Sequence, residues 1–193
     1  MFALNPAAGK TDTKQLRDKY GDFLHAYSQG VLRLGDPESE SYPYAVAQFI
    51  TDESMKTLFS DVDAEFSDLT AIEEEFEDAF SRYMYHFPDS TIPEVVFHIS
   101  AINVAISTTQ NTLGIALDMF LGSDYPVYPM VGLPKYLYKN MKPNQVVPQA
   151  VKGWIQSMYE TNTTRNTLVE NMIFEGKLLY AMDAILAETP EED

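Results

Sequence analysis

The sequence predicts a predominantly helical α+β fold, with a small antiparallel sheet set between two helical blocks. Three observations carry this reading. Apolar residues recur at steps of three and four through 16–34 and 69–87, the period of helices that bury one face. Between 94 and 117 the pattern switches to short alternating runs rich in Val, Ile and Phe, the period of strands. From 146 onward the helical period returns. With 193 residues, 45% of them hydrophobic, the chain can bury one core as a single domain spanning 1–193.

The first helix starts at Thr11 or Asp12, either of which can cap it. Its buried face carries Leu16, Tyr20, Phe23, Leu24, Tyr27, Val31 and Leu34, and Gly35, Asp36 and Pro37 stop it. Segments 44–50 and 55–62 read as shorter helices separated by Asp and Ser. Asp68 opens the best-patterned helix, whose stripe is Leu69, Ile72, Phe76, Phe80, Tyr83 and Phe87. Its acid run, Glu73 to Glu75 with Glu77 and Asp78, reads as a solvated face whose charges favour the N-terminal half of the helix dipole. After Pro88, 94–100 alternates as a strand, and 103–107 with 112–117 form two more around a turn at 109–111. Residues 118–133 form a loop rich in Gly, Pro and Tyr, Pro134 begins a short helix, and 146–158 and 167–187 are the last two helices.

Charge excludes whole classes of partner. Asp and Glu number 29 against 13 Lys and Arg, a formal net charge of −16. Nucleic-acid binding rests on neutralising phosphates, so this field argues against it, and against an anionic membrane surface. No apolar run approaches the roughly 20 residues of a membrane-spanning helix. There is no cysteine, hence no disulfide framework, thiolate metal site or thiol nucleophile. Residues 1–10 show neither a basic start nor an apolar core of a signal peptide, and the chain ends on Glu191, Glu192 and Asp193 directly after a helical pattern. Both ends read as trimmed.

Motifs for chemistry are missing. No GxxxxGK[ST] or GxGxxG loop is present to cradle a phosphate, and no GxSxG elbow to expose a serine. His25, His86 and His98 each stand alone, and no HExxH occurs. The sequence therefore implies no catalytic set, no metal and no cofactor. His98 reads as a hydrogen-bonded structural residue of its strand. Two places conflict with their surroundings. Glu175 falls inside the apolar stripe Leu168, Met172, Leu179, Met182 and Leu186. A carboxylate there is expected to be mostly buried and paired with a cation from another element, or kept facing a cleft; a buried pair would make its loss cost about 3–5 kcal/mol. The loop from Asp118 to Tyr128 gathers Asp118, Asp124, Tyr125 and Tyr128, which suits a packed structural loop or contact with a peptide, a sugar or a calcium ion.

Three stretches carry a resemblance: 117–126 with its LG-x-DYP-x-Y loop, 134–137, and 172–180 with its EGK-x-LY pattern. Together with the early segment 72–76 they resemble the GldB-type gliding-motility lipoproteins of the Bacteroidetes, over most of the chain. The resemblance implies an envelope lipoprotein, held in the membrane only through a lipid on an N-terminal cysteine that this chain lacks. It also implies a zincin-like layout similar to HExxH peptidases, in which Glu175 stands where a third zinc ligand would be. The corresponding active helix, near 147–154, contains no histidine. Resemblance and missing ligands together imply a non-catalytic, peptidase-like domain acting in binding or assembly. Its expected partner is an envelope protein or peptide segment met at Asp118, Asp124, Tyr125, Tyr128 and Glu175, in a groove between the 103–117 edge and the loop. The alternative is a divergent metal-dependent or carboxylate-based hydrolase with Glu175, Asp118 and Asp124 as its acids.

The ligand set carries a first prediction. Zinc prefers His and Cys donors in a tetrahedron, and this chain has neither a histidine pair nor a cysteine. Elemental analysis of the purified protein is expected to find zinc far below one per chain. One tightly held zinc per chain would overturn the non-metal reading.

Overall fold

The computed structural model describes residues 10–159 and 167–186. Helix α1, Lys10–His25, bends at Gly21, whose φ of 45° and ψ of −127° a side chain would resist. Lys10 is already helical, so Thr11 and Asp12 lie within the first turn and not before it. The helix continues as a π-helical turn over Ala26–Val31, closed by the Leu32 N–H donating to the Tyr27 carbonyl at 2.9 Å. Helices α2, Tyr42–Thr51, and α3, Glu53–Glu65, meet at Asp52. Its carboxylate caps α3 by accepting from the Ser54 and Met55 N–H groups at 2.9 and 3.1 Å. Helix α4, Thr70–His86, buries Phe76, Ala79, Phe80 and Tyr83 and turns Glu73, Glu74, Glu77 and Asp78 to solvent. Glu75 is half-buried, and that burial raises its pKa.

Strands β1, Glu94–His98, β2, Ile106–Thr108, and β3, Thr112–Ala116, form one sheet in the order β1-β3-β2. β2 runs antiparallel to β3, with Ile106 opposite Ile115. β1 runs parallel to β3, with Glu94 opposite Thr112 and His98 opposite Ala116. The sheet is thus mixed where the sequence suggests an antiparallel one. The chain leaves β1 through a tight corner, crosses to the far side of β3 as β2, and returns as β3 beside β1. Alternation shows which residues share a face, but it is silent on which strands are neighbours.

The expected loop, 118–133, contains a short helix, α5, Val127–Met130, and the short helix expected at Pro134 is α6, Lys135–Tyr138, with Pro134 as its N-cap. Helix α7, Val146–Met158, follows. Helix α8, Leu168–Ile185, opens on a capping box: the Glu170 N–H donates to Thr167 Oγ1 at 3.3 Å and the Thr167 N–H to Glu170 Oε2 at 3.0 Å. Among the described residues no helix is long and apolar enough to cross a membrane.

The main core centres on β3 and α7, where Leu113, Ile115, Ala116, Val146, Ala150 and Val151 are completely buried. Trp154 joins it to α4, its ring 5.3 Å from that of Phe80 and 4.6 Å from that of Tyr83. A second cluster places Phe23, Leu24, Tyr27 and Val31 against Val96 and Val104. Helix α8 corrects the sequence reading. Leu168, Met172 and Leu179 are exposed, while Leu178 and Ile185 are buried and face the core. This helix is apolar nearly all round, so its spacing does not single out one face.

β3 lies so close to α1 that Gly114 has no room for a side chain. A Cβ there would sit 2.5 Å from Phe23 Cε2 and 2.5 Å from Ser107 Oγ. Gly114→Ala is therefore expected to cost about 1–3 kcal/mol by overpacking. A denaturant midpoint equal to that of the parent would refute this contact.

Candidate functional site

The loop after β3 is built around Asp118, which is fully buried. One carboxylate oxygen accepts from the Ser100 N–H at 2.9 Å and the other from the Ile102 N–H at 2.7 Å, while the Ser100 hydroxyl donates at 3.2 Å. These bonds hold the corner after β1, where Ala101 and Ile102 both adopt positive φ, 58° and 56°. A β-branched residue in that region is a genuine outlier, so the corner persists because its surroundings determine it. Burial raises the Asp118 pKa, and the hydrogen bonds oppose that rise. The corner is also tied to α1 and its π turn. The Tyr27 hydroxyl donates to the Ile99 carbonyl at 2.7 Å, and the Asn103 amide donates to the Val31 carbonyl at 2.7 Å.

Tyr128 closes the loop on this frame. It is fully buried, its hydroxyl donates to the Asp118 carbonyl at 3.0 Å, and the same oxygen accepts from the Leu121 N–H at 3.0 Å. Tyr125 packs edge-on against Tyr128, with ring centroids 5.2 Å apart, and its hydroxyl donates to Asp61 on α3 at 2.7 Å. Burial is the first cause of the raised pKa of both phenols. The loop is therefore held at both ends of its aromatic pair.

Outside this frame lies a surface cleft. One lobe, about 590 Å³, runs between 121–125 and 142–144, and a second, about 440 Å³, runs between 123–129 and 135–142. They share Ser123, Asp124, Tyr125 and Lys142. The lining comes from the loop and the 135–144 segment, with none from the hairpin edge that the sequence suggests.

Of the five residues singled out in the sequence, Asp124 is exposed and Tyr125 half-buried, and both line the cleft. Asp118 and Tyr128 have no surface to offer, which corrects their expected role as direct contacts. Glu175 lies elsewhere, on α8. It pairs with Lys152 of α7 at 3.3 Å, so the cation does come from another element, but its side chain is 48% exposed and not buried. The three acids of the alternative hydrolase are not assembled into one centre. Among the described residues no group of three His, Asp or Glu side chains converges to hold a metal ion. Sequence reasoning also passes over Lys135, Lys139 and Lys142, which line the cleft. Their signal is a run of three cations in eight residues of an acidic chain.

His98 sits apart, beside a cavity of about 180 Å³ between α1, α3 and β1 whose walls include Phe23, Tyr27, Phe59 and Phe97. Its Nε2 lies 3.4 Å from the Ser107 hydroxyl, in keeping with a structural role, and burial pushes its pKa down from 6.5 to about 4.

These geometries make two predictions. A depressed histidine pKa stabilises the fold above the unfolded value, and that stability is lost as pH falls from 6.5 toward about 4. Urea midpoints followed across this range are expected to fall more steeply for the parent than for His98→Asn, and parallel curves would show that His98 does not titrate this way. The exposed Glu175–Lys152 pair is worth at most about 1 kcal/mol, so Glu175→Ala is expected to shift stability by no more than that. A loss of several kcal/mol would restore the buried-pair reading.

The model of a family described as gliding motility protein GldB matches residues 1–193. No curated protein and no solved structure matches the chain.

Proposed function

Since the chain belongs to the GldB family of gliding motility proteins, we propose that it is a non-catalytic, lipid-anchored envelope domain that binds a segment of another envelope protein in the cleft beside the 118–128 loop. The observation that carries this reading is the division of labour within the loop. Asp118 and Tyr128 are fixed inside as framework, and Ser123, Asp124 and Tyr125 are presented outward on it. A loop held in one conformation before binding loses little conformational entropy on binding, which favours recognition. The carboxylate best placed for chemistry by its burial, Asp118, has both oxygens engaged by backbone N–H groups. Such an acid holds structure.

The family's name, which points to lipoproteins, supports the envelope location, and the lipid would be the attachment to the membrane. An assembly role in the gliding apparatus is the corresponding cellular reading.

The test uses the full-length lipoprotein in its native envelope, with a photo-crosslinking residue in place of Asp124 or of Tyr44, an exposed residue of α2 far from the loop in sequence. A discrete crosslinked protein is expected from position 124 and not from position 44. It should disappear when Tyr125 is changed to Ala in the same chain while the fold, followed by circular dichroism, is retained. Identical crosslinks from both positions, or none from position 124, would overturn the proposal.

A further inference from the structure

The cleft carries a charge opposite to that of the chain. Lys135, Lys139 and Lys142 line it against one carboxylate among the same lining residues, Asp124, on a protein of formal charge −16. Several cations elsewhere are matched: Arg17 pairs with Glu38, Lys56 with Glu53, Arg82 with Asp78 and Lys152 with Glu175. Among the described residues, none of the three cleft lysines forms an ion pair.

Their spacing makes this costly. Lys135 opens α6 and Lys139 follows it one helical turn later, so the two ammonium groups share a face and repel. Among the described residues, the fold brings one acid, Asp124, to this lining. An arriving anion relieves that repulsion.

The shape of the cleft selects among anions. Its two lobes, about 590 and 440 Å³, adjoin along Ser123, Asp124, Tyr125 and Lys142 and are far larger than one phosphate or carboxylate. Pro129 and the rings of Tyr125 and Tyr138 provide apolar faces between the charges. Lysine is a point charge with rotatable donors and lacks the fork that makes arginine the preferred phosphate clamp, so three spaced lysines suit separate carboxylates along a chain. We propose that the cleft receives an acidic peptide segment, its carboxylates on Lys135, Lys139 and Lys142 and its apolar side chains against Tyr125 and Tyr138. This inference rests on the binding role proposed above and adds the chemistry of the partner. Asp124, where the two lobes adjoin, disfavours a carboxylate seated beside it, so the segment's acids sit away from that point.

The experiment is fluorescence anisotropy on the purified protein at physiological ionic strength, with a labelled peptide of repeated Glu-Glu-Leu, its Gln-Gln-Leu analogue, and inorganic phosphate as competitor. The acidic peptide is expected to bind saturably, the neutral one not to bind, and millimolar phosphate not to displace. Replacing the lysines together (K135Q, K139Q and K142Q) is expected to weaken binding by about tenfold or more, the loss of three partly exposed charge pairs. Circular dichroism confirms that this variant is folded. No binding of the acidic peptide, equal binding by the variant, or full displacement by phosphate would overturn the inference. The crosslink from position 124 separates the two levels. If it survives in the lysine variant, the binding role stands and the acidic partner falls; if it is missing from the parent as well, the binding role itself falls.

Discussion

The buried Asp118 carboxylate is the point on which the arrangement of this protein turns. A mixed three-stranded sheet requires the chain to leave β1, pass to the far side of β3 and come back, all within the residues between His98 and Thr112. That path needs a corner too sharp for ordinary backbone angles, hence the positive φ at Ala101 and Ile102. Two N–H groups of such a corner have no strand partner, and leaving each buried without an acceptor costs about 1–3 kcal/mol. The two oxygens of Asp118 accept both. A neutral side chain of the same shape would present one acceptor and one donor, so only the acid fits both N–H groups.

The same atoms set the positions of parts distant in sequence. The corner held by Asp118 receives the Tyr27 hydroxyl and sends the Asn103 amide to Val31, which fixes the π turn at the end of α1 against the sheet. The Asp118 carbonyl accepts from Tyr128, which returns the next loop to the frame, and Tyr125 then reaches Asp61 on α3. Corner, first helix and surface loop form one connected polar network whose centre, Ser100, Asp118 and Tyr128, is fully buried. Partial disruption of such a network is more damaging than its absence, because groups left inside lose both water and partner. The stiffness of the loop thus arises from the requirement to satisfy buried groups, and a rigid surface loop is its by-product.

This division explains what is legible in the sequence. Helices with a clear two-sided pattern are located closely: 146–158 coincides with α7, and 44–50 and 55–62 fall within α2 and α3. The strands at 94–98 and 112–116 follow from alternation, but their parallel pairing does not, because pairing depends on the corner between them. Asp118 is visible only as a loop acid, since its shortest contacts are to main-chain N–H groups, which leave no mark in the side-chain pattern. In α8 the run from Leu168 to Ile185 is apolar on most sides, so spacing places Glu175 inside a stripe whose first three members, Leu168, Met172 and Leu179, the fold turns to solvent while Met182 and Leu186 pack on the core. The cleft lysines are legible once charge is read locally; a single sum of −16 conceals them.

The contrast between total and local charge also bears on selectivity under the proposed reading. An acidic segment approaching this protein first meets a field of net charge −16, which repels it. At physiological ionic strength that repulsion decays over roughly 8 Å, about the scale of the cleft itself. Attraction to Lys135, Lys139 and Lys142 therefore dominates only once the segment has entered, where the short range and the lower effective dielectric strengthen each contact. Acids that fail to seat meet mainly the long-range repulsion, while one that fits exchanges it for three close cations. The acidic surface then works against wrong partners, and the lysine cleft works for the right one. A basic protein with the same cleft would retain acidic chains of many shapes, so the excess of Asp and Glu outside the site is part of how the site discriminates.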